Sequence, residues 1–139
     1  MTDLLALKAR ALAAAQCDKN LLFEVWRGTG REPWETFPDD VSELADAHAW
    51  TDAALALIGH VLPGWGWSVG SPLGNAGFWA SVWRKGFSIS ESGEVWREVE
   101  GRGFQPVKRA TKSYRPTPAL ALVSALLAAL IAQEQNDGR

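Results

Sequence analysis

Residues 117–132 read TPALALVSALLAALIA. Thr117 suits the position just before a helix, and Pro118 suits its first turn, where the missing N–H is not needed. Beyond them Leu120, Val123, Leu127, Leu130 and Ile131 recur at helical spacing. Leu122, Leu126 and Ala129 widen that stripe until little polar surface remains. A helix this apolar has to be covered by a sheet or by another chain, so homodimerisation is an open expectation. No residue from Pro116 to Gln133 is charged, yet the run is rich in alanine, is interrupted by Ser124, and is shorter than the roughly 20 strongly apolar residues of a bilayer span. It reads as a buried helix, and no membrane association is expected. Gln133 to Arg139 reads as a polar tail, giving one domain over residues 1–135 and a flexible tail at 136–139.

Working upstream, the apolar period changes from helical to alternating. Trp65, Trp67 and Val69 alternate with Gly66, Ser68 and Gly70, the signature of a strand with one bulky face and one bare face that admits close approach. Turn residues 71–77 lead to Phe78–Arg84, where Phe78, Ala80 and Val82 share one side and Trp79, Ser81 and Trp83 the other. With both sides apolar, this strand reads as covered on both faces. Trp65, Trp67, Trp79 and Trp83 are accordingly expected in the core. Gly86 allows a bulge, Phe87 and Ile89 continue the alternation, and Glu91-Ser92-Gly93 can turn the chain into a hairpin partner over Glu94–Glu100. Arg102–Arg115 reads as a loop or an edge strand. In all, a short, mainly antiparallel sheet of about three or four strands is expected.

The first third is helical. Leu4, Leu7, Ala11, Leu12 and Ala15 recur on one face between Thr2 and Ala15, with Thr2 and Asp3 as start signals. Asp18 can cap a second, short helix with Leu21, Leu22, Val25 and Trp26 on its apolar side, stopped by Gly28-Thr29-Gly30. Residues 28–42 read as a long surface loop. A third helix follows, clearest from an N-cap at Thr51 to His60 and ended by Pro63-Gly64.

With 139 residues, 47% hydrophobic and 22% charged, the chain has the composition of one folded domain. A net charge of −2 and a pI near 5.7 argue against a globally basic nucleic-acid or membrane-surface protein. The single cysteine, Cys17, excludes an intrachain disulfide and a cysteine metal cluster, and fits a reducing compartment. The N-terminus places Lys8 and Arg10 within its apolar stretch, the reverse of a signal peptide's order.

Chemistry-bearing motifs are scarce. Asp18 beside Cys17 opposes thiolate formation, so an idle thiol is expected. His48 near Asp46 and Asp52 lacks the further ligand a metal site needs, and His60 suits a helix C-terminus. Gly28-Thr29-Gly30 and Gly64-Trp65-Gly66 lack the spacing of phosphate loops. No enzyme activity and no cofactor are expected. Charge asymmetry is the better lead. Glu32 to Asp52 holds seven acids and no Lys or Arg, whereas Arg84 to Arg115 holds eight bases against four acids. The two stretches can simply be solvated surfaces. Alternatively, Trp34, Asp39, Asp40 and Glu43 in the acidic stretch, with Trp96, anchor a protein partner. A second reading has Arg102, Lys108, Arg109, Lys112 and Arg115 contact phosphate while Tyr114 or Phe104 stacks on a base.

Thr51-Asp52-Ala53-Ala54-Leu55, then Leu62-Pro63-Gly64-Trp65, and finally Thr117-Pro118-Ala119-Leu120-Ala121-Leu122 resemble the phage ABA sandwich domain family from about Ala13 onward. The resemblance implies a small layered helix/sheet/helix domain from a phage or prophage, at work in the host cytoplasm, and it transfers no site residue. Thr51 here stands directly before Asp52 rather than several residues ahead, and the 102–115 stretch is longer than the family's link into its last helix. Together these readings give a single α+β domain of layered helix/sheet/helix type with a long apolar C-terminal helix. They make it a non-enzymatic accessory protein that binds a host or phage protein, one form being an inhibitor of a host defence complex, with nucleic-acid binding through 102–115 as the alternative.

Overall fold

The computed structural model describes residues 3–29, 35–72, 77–110 and 114–137. Its centre is the helix of residues Pro118–Asp137, here α5. Thr117 begins it as its sequence requires, with Oγ1 accepting from Leu120 N at 3.1 Å. Every residue from Ala119 to Ala129 is buried. The helix runs on through Gln133–Asp137, beyond the start of the expected polar tail.

Such all-round burial needs cover on two sides. One side is a five-stranded antiparallel meander in the order β1-β2-β3-β4-β5: β1 Gly66–Gly70, β2 Trp79–Arg84, β3 Phe87–Ser90, β4 Val95–Val99 and β5 Gly103–Lys108. Its first three strands lie on α5, with Ala80, Val82 and Ile89 buried in between. The other side is helical, with α1 (Leu4–Ala13) and α4 (Trp50–Val61) against α5, and α2 (Lys19–Arg27) and α3 (Asp39–Asp46) packed on these. The fold is α+β with a long apolar last helix. Its layers run sheet, α5, then α1–α4, so both helical layers stand on the same side of the sheet. The long helix is covered within its own chain, and its buried stretch offers no apolar face to a second copy.

The short helices follow their sequence signals closely at the N-terminus. Asp3 accepts from Leu5 N at 3.0 Å and Asp18 from Leu21 N at 2.7 Å. Leu21, Leu22, Val25 and Trp26 are all buried, whereas Leu12, placed by periodicity on the inner face of α1, stays exposed. The expected loop over 28–42 is shorter, because α3 already begins at Asp39. The expected third helix is two helices. His48 takes a left-handed conformation (φ 59°), His48 N donates to Ala45 O at 3.0 Å and Ala49 N to Leu44 O at 2.9 Å. These paired bonds end α3 in a Schellman turn. Trp50 then opens α4 without a side-chain cap, one residue before the expected N-cap at Thr51.

The sheet also departs from expectation in two places. Lys85-Gly86 is a two-residue connection between β2 and β3, with Gly86 at φ 78°, and not a bulge within one strand. There are five strands where about three or four were expected, because Gly103–Lys108 takes the edge-strand option and pairs with β4 through a register shift beside Val95 and Trp96. Pro106 can sit there because an edge strand leaves one row of backbone donors unpaired. Phe78 and Arg115 exchange backbone bonds of 2.8 and 2.9 Å, which ties the entry of α5 to the start of β2.

Candidate functional site

With both helical layers on one side, the opposite face of the sheet carries no second layer among the described residues. Strand register places Gly66, Trp83, Ser88, Trp96 and Pro106 in one row across that face. Ser68, Ser81 and Ser90 form the next, and Gly70 with Trp79 begins a third. Trp79 and Trp83 are 38% and 45% exposed, so the expectation that β2 is covered on both faces is overturned. The four strand tryptophans expected in the core are not core residues: Trp67 is 46% exposed at the sheet's edge, and Trp65 is half-buried against Phe87. Alternation gave their faces correctly, but only one face of β2 meets α5.

The glycines seat the two open-face indoles. A Cβ on Gly70 would stand 2.6 Å from Cζ2 of Trp79, and one on Gly66 would stand 2.3 Å from Cζ2 of Trp83. The rings therefore lie down across the bare positions of β1, the arrangement in which an aromatic covers a cross-strand glycine. Trp96 is half-buried in the middle of the face, where its Nε1–H donates to Glu94 Oε1 at 2.7 Å. Phe104, opposite Glu98, is 50% exposed. Serine, tryptophan and carboxylate make up this surface, and its strand positions hold no Lys or Arg.

At one end of the face lies a cleft of about 330 Å³, walled by Trp79 and Tyr114, with Ser81 and Ser90 and the carboxylates Glu91 and Glu94. Glu91 is only 3% exposed. Burial pushes its carboxyl above the usual glutamate range, against the opposing pull of nearby backbone N–H groups and of the Arg115 guanidinium. Ser92 N donates to Glu91 Oε2 at 3.3 Å. Arg115 is itself buried, and its Nη1 donates to Leu12 O at 3.0 Å, near the end of α1.

A second cleft, of about 370 Å³, opens on the helix-facing side where α5 leaves the sheet. Arg84, Lys85 and Arg97 line it with Trp65, Phe87 and Gln133. The Arg84 guanidinium stands 5.3 Å from the Trp65 ring centre and 6.0 Å from that of Phe87, within cation–π range.

The residues singled out from sequence do not converge. Asp39, Asp40 and Glu43 are exposed on α3, in the helical layer, while Trp96 lies on the open sheet face. Asp40 is engaged with His60, whose Nε2 lies 2.9 Å from Oδ1. Arg102 precedes β5 and Lys108 ends it, a strand length of roughly 20 Å apart. Arg109 follows Lys108, exposed. Tyr114 lines the acidic cleft, and the burial of Arg115 removes it from any surface patch. Residues 102–115 thus do not form the single basic and aromatic patch expected of them. Trp34 and Lys112 lie outside the described residues. Sequence reasoning missed Glu91 and Glu94 as cleft residues, and Arg84, Lys85 and Arg97 as a group. A usable signal existed for the open-face platform: Gly66 and Gly70 repeat the four-residue spacing of Trp79 and Trp83.

Cys17 is buried and its thiol is pushed up to about 12, by burial first and Asp18 second. His48 stacks on Trp50, with ring centres 5.5 Å apart. Comparison of the chain with protein-family models, curated proteins and solved structures finds no match. No helix among the described residues is long and apolar enough to cross a membrane.

Proposed function

We propose that this protein is a non-enzymatic binding module that occupies the surface of another protein through the open face of its sheet. The observation that carries this reading is the placement of Trp79, Trp83 and Trp96 on one face of the meander, with no second layer over them among the described residues. Tryptophan is the residue most enriched where interface energy concentrates, and large rings already held in place lose little freedom on docking. The glycine seats under Trp79 and Trp83 supply that hold. The partner is of basic character, since Glu91 and Glu94 line the cleft at the end of this face and Glu98 stands on it, with no Lys or Arg at its strand positions among the described residues. The anchor set moves from the acidic 32–52 segment to the sheet, with Trp96 retained. A phage or prophage accessory role in the host cytoplasm, with inhibition of a host defence complex as one form, rests on the resemblance of residues 51–65 and 117–122 alone.

The test is affinity capture from host lysate after nuclease treatment, with wild type beside Trp83→Ala and a Val107→Ser control on β5. A stoichiometric protein partner lost with Trp83→Ala and kept with the control supports the reading. Capture indifferent to Trp83→Ala and Trp96→Ala in folded protein refutes it.

The second reading, nucleic-acid binding, is favoured by one observation: the basic cleft, which gathers Arg84, Lys85 and Arg97 around a cavity while 102–115 is dispersed. Oligonucleotide affinity should then fall steeply with salt, and Arg84→Ala with Arg97→Ala should reduce the salt slope by about two. An unchanged slope removes this reading.

A further inference from the structure

We infer that the cleft between Trp79 and Tyr114 receives a lysine or arginine side chain presented by the protein partner. This rests on the docking reading above and names the chemistry of its most specific contact.

Three observations point to a cationic occupant. The cleft has a volume of about 330 Å³, room for one long side chain, and lies at the end of the aromatic face. Its lining includes Trp79 and Tyr114, and aromatic faces attract ammonium and guanidinium groups through the ring quadrupole. Glu91 and Glu94 line it and, among the described residues, no Lys or Arg does. Arg115, buried nearby, offsets the charge of Glu91, which leaves Glu94 as the carboxylate that meets an incoming cation. Glu94 is already positioned. It accepts from the Trp96 indole N–H at 2.7 Å, and its backbone N donates to Ser90 Oγ at 3.1 Å. Ser81 and Ser90 also line the cleft.

The charge pattern also decides between classes of macromolecule. A single-stranded nucleic acid could stack its bases on Trp79, Trp83 and Trp96, but such binders pair aromatic platforms with a cationic groove for the phosphates. Here the strand positions of the aromatic face hold no cation, and the charged groups beside it would repel a phosphate chain. A basic protein segment meets both the rings and the carboxylates.

The proposal is tested by titrating the intact protein with Nα-acetyl-arginine N-methylamide and Nα-acetyl-lysine N-methylamide while following its tryptophan indole N–H resonances by NMR. The neutral norleucine amide and methyl β-glucoside serve as comparison ligands. A saturable shift of the Trp79 indole is expected with the two cationic probes, weakened about tenfold in Glu94→Gln and lost in Trp79→Leu. Equal shifts with the norleucine amide or the glucoside would overturn the proposal, as would unchanged affinity in Glu94→Gln with its spectrum otherwise preserved. A response of Trp79 to arginine, alongside partner capture that ignores Trp83→Ala, would keep the cleft and refute the docking reading. Capture that needs Trp83, with no response to either cationic probe, would do the reverse.

Discussion

Ser124 sits in the middle of α5, fully buried, with an Oγ that has no hydrogen-bond partner. Replacing it with alanine is expected to stabilise the protein, the opposite of what most substitutions in a core do. Three contributions set the magnitude. Alanine is favoured over serine inside a helix by about 0.5 kcal/mol. A buried hydroxyl without a partner carries a desolvation cost of about 1–3 kcal/mol that the substitution removes. Against these stands the small void left by one oxygen atom, costing up to about 1 kcal/mol. The net gain is about 1.5 kcal/mol. With an unfolding entropy near 2.1 cal/mol/K per residue, a chain of 139 residues gains about 5 °C in Tm. Thermal unfolding followed by circular dichroism reads this directly, and urea unfolding with an unchanged m-value checks that the native state is what moved. A fall in Tm would refute the reasoning. It would mean that the hydroxyl is satisfied, in practice by bonding back to the carbonyl of Leu120 one turn earlier.

Three further outcomes are expected. Gly70→Ala places a Cβ against the Trp79 ring, so the indole must lift from its seat. The Trp79 indole N–H should shift far more than the indole signals of Trp26 and Trp50, and an unmoved Trp79 signal would contradict the seating. Because burial raises the Glu91 carboxyl in the folded state, the native protein holds a proton there that the unfolded chain has already released. Between the ordinary glutamate value near 4.3 and the raised folded value, stability therefore falls as pH rises. Glu91→Gln should flatten that part of the pH–stability curve, and an identical curve would argue against the shift. Cys17, buried with its thiol pushed up to about 12, should resist a disulfide reagent at pH 8 until the protein unfolds. Stoichiometric labelling of the native protein within minutes would contradict this.

How far the sequence discloses the fold depends on whether a local signal and a long-range constraint agree. At α2 they do: Asp18 caps, and the four residues on its apolar side are the four that are buried. At α5 the Thr-Pro start and the apolar run leave no alternative. The break between α3 and α4 is hidden, because its left-handed residue is His48 and not glycine, and the bonds that stabilise it are backbone bonds to Leu44 and Ala45. The start of α3 does carry a local signal, since Pro38 is followed by Asp39 and Asp40, acids suited to the positive end of a helix. The fifth strand is legible only as an alternative to a loop, because Pro106 and the register shift next to Val95 and Trp96 break its alternation. The candidate site was the least legible part. Glu91 and Glu94 flank a turn and look solvated in sequence, and the positions of Trp79 and Tyr114 beside them make a cleft that no local signal announces.

The open face itself follows from counting apolar surfaces. A helix apolar on one stripe can lie on a sheet and show its other side to water, leaving further helices free to cover the sheet's second face. A helix apolar all round cannot: it needs the sheet below and helices above, and α5 takes both α1 and α4 for that purpose. The four short helices spend their buried apolar residues on α5 and on one another. The sheet's second face must therefore be covered by its own side chains, and β1 and β2 do so with two indoles laid across two glycines. That solution leaves rings of large area at the surface, each held from beneath and open above. The same alanine- and leucine-rich run that secures the core thus leaves Trp79 and Trp83 at the surface on the far side of the sheet.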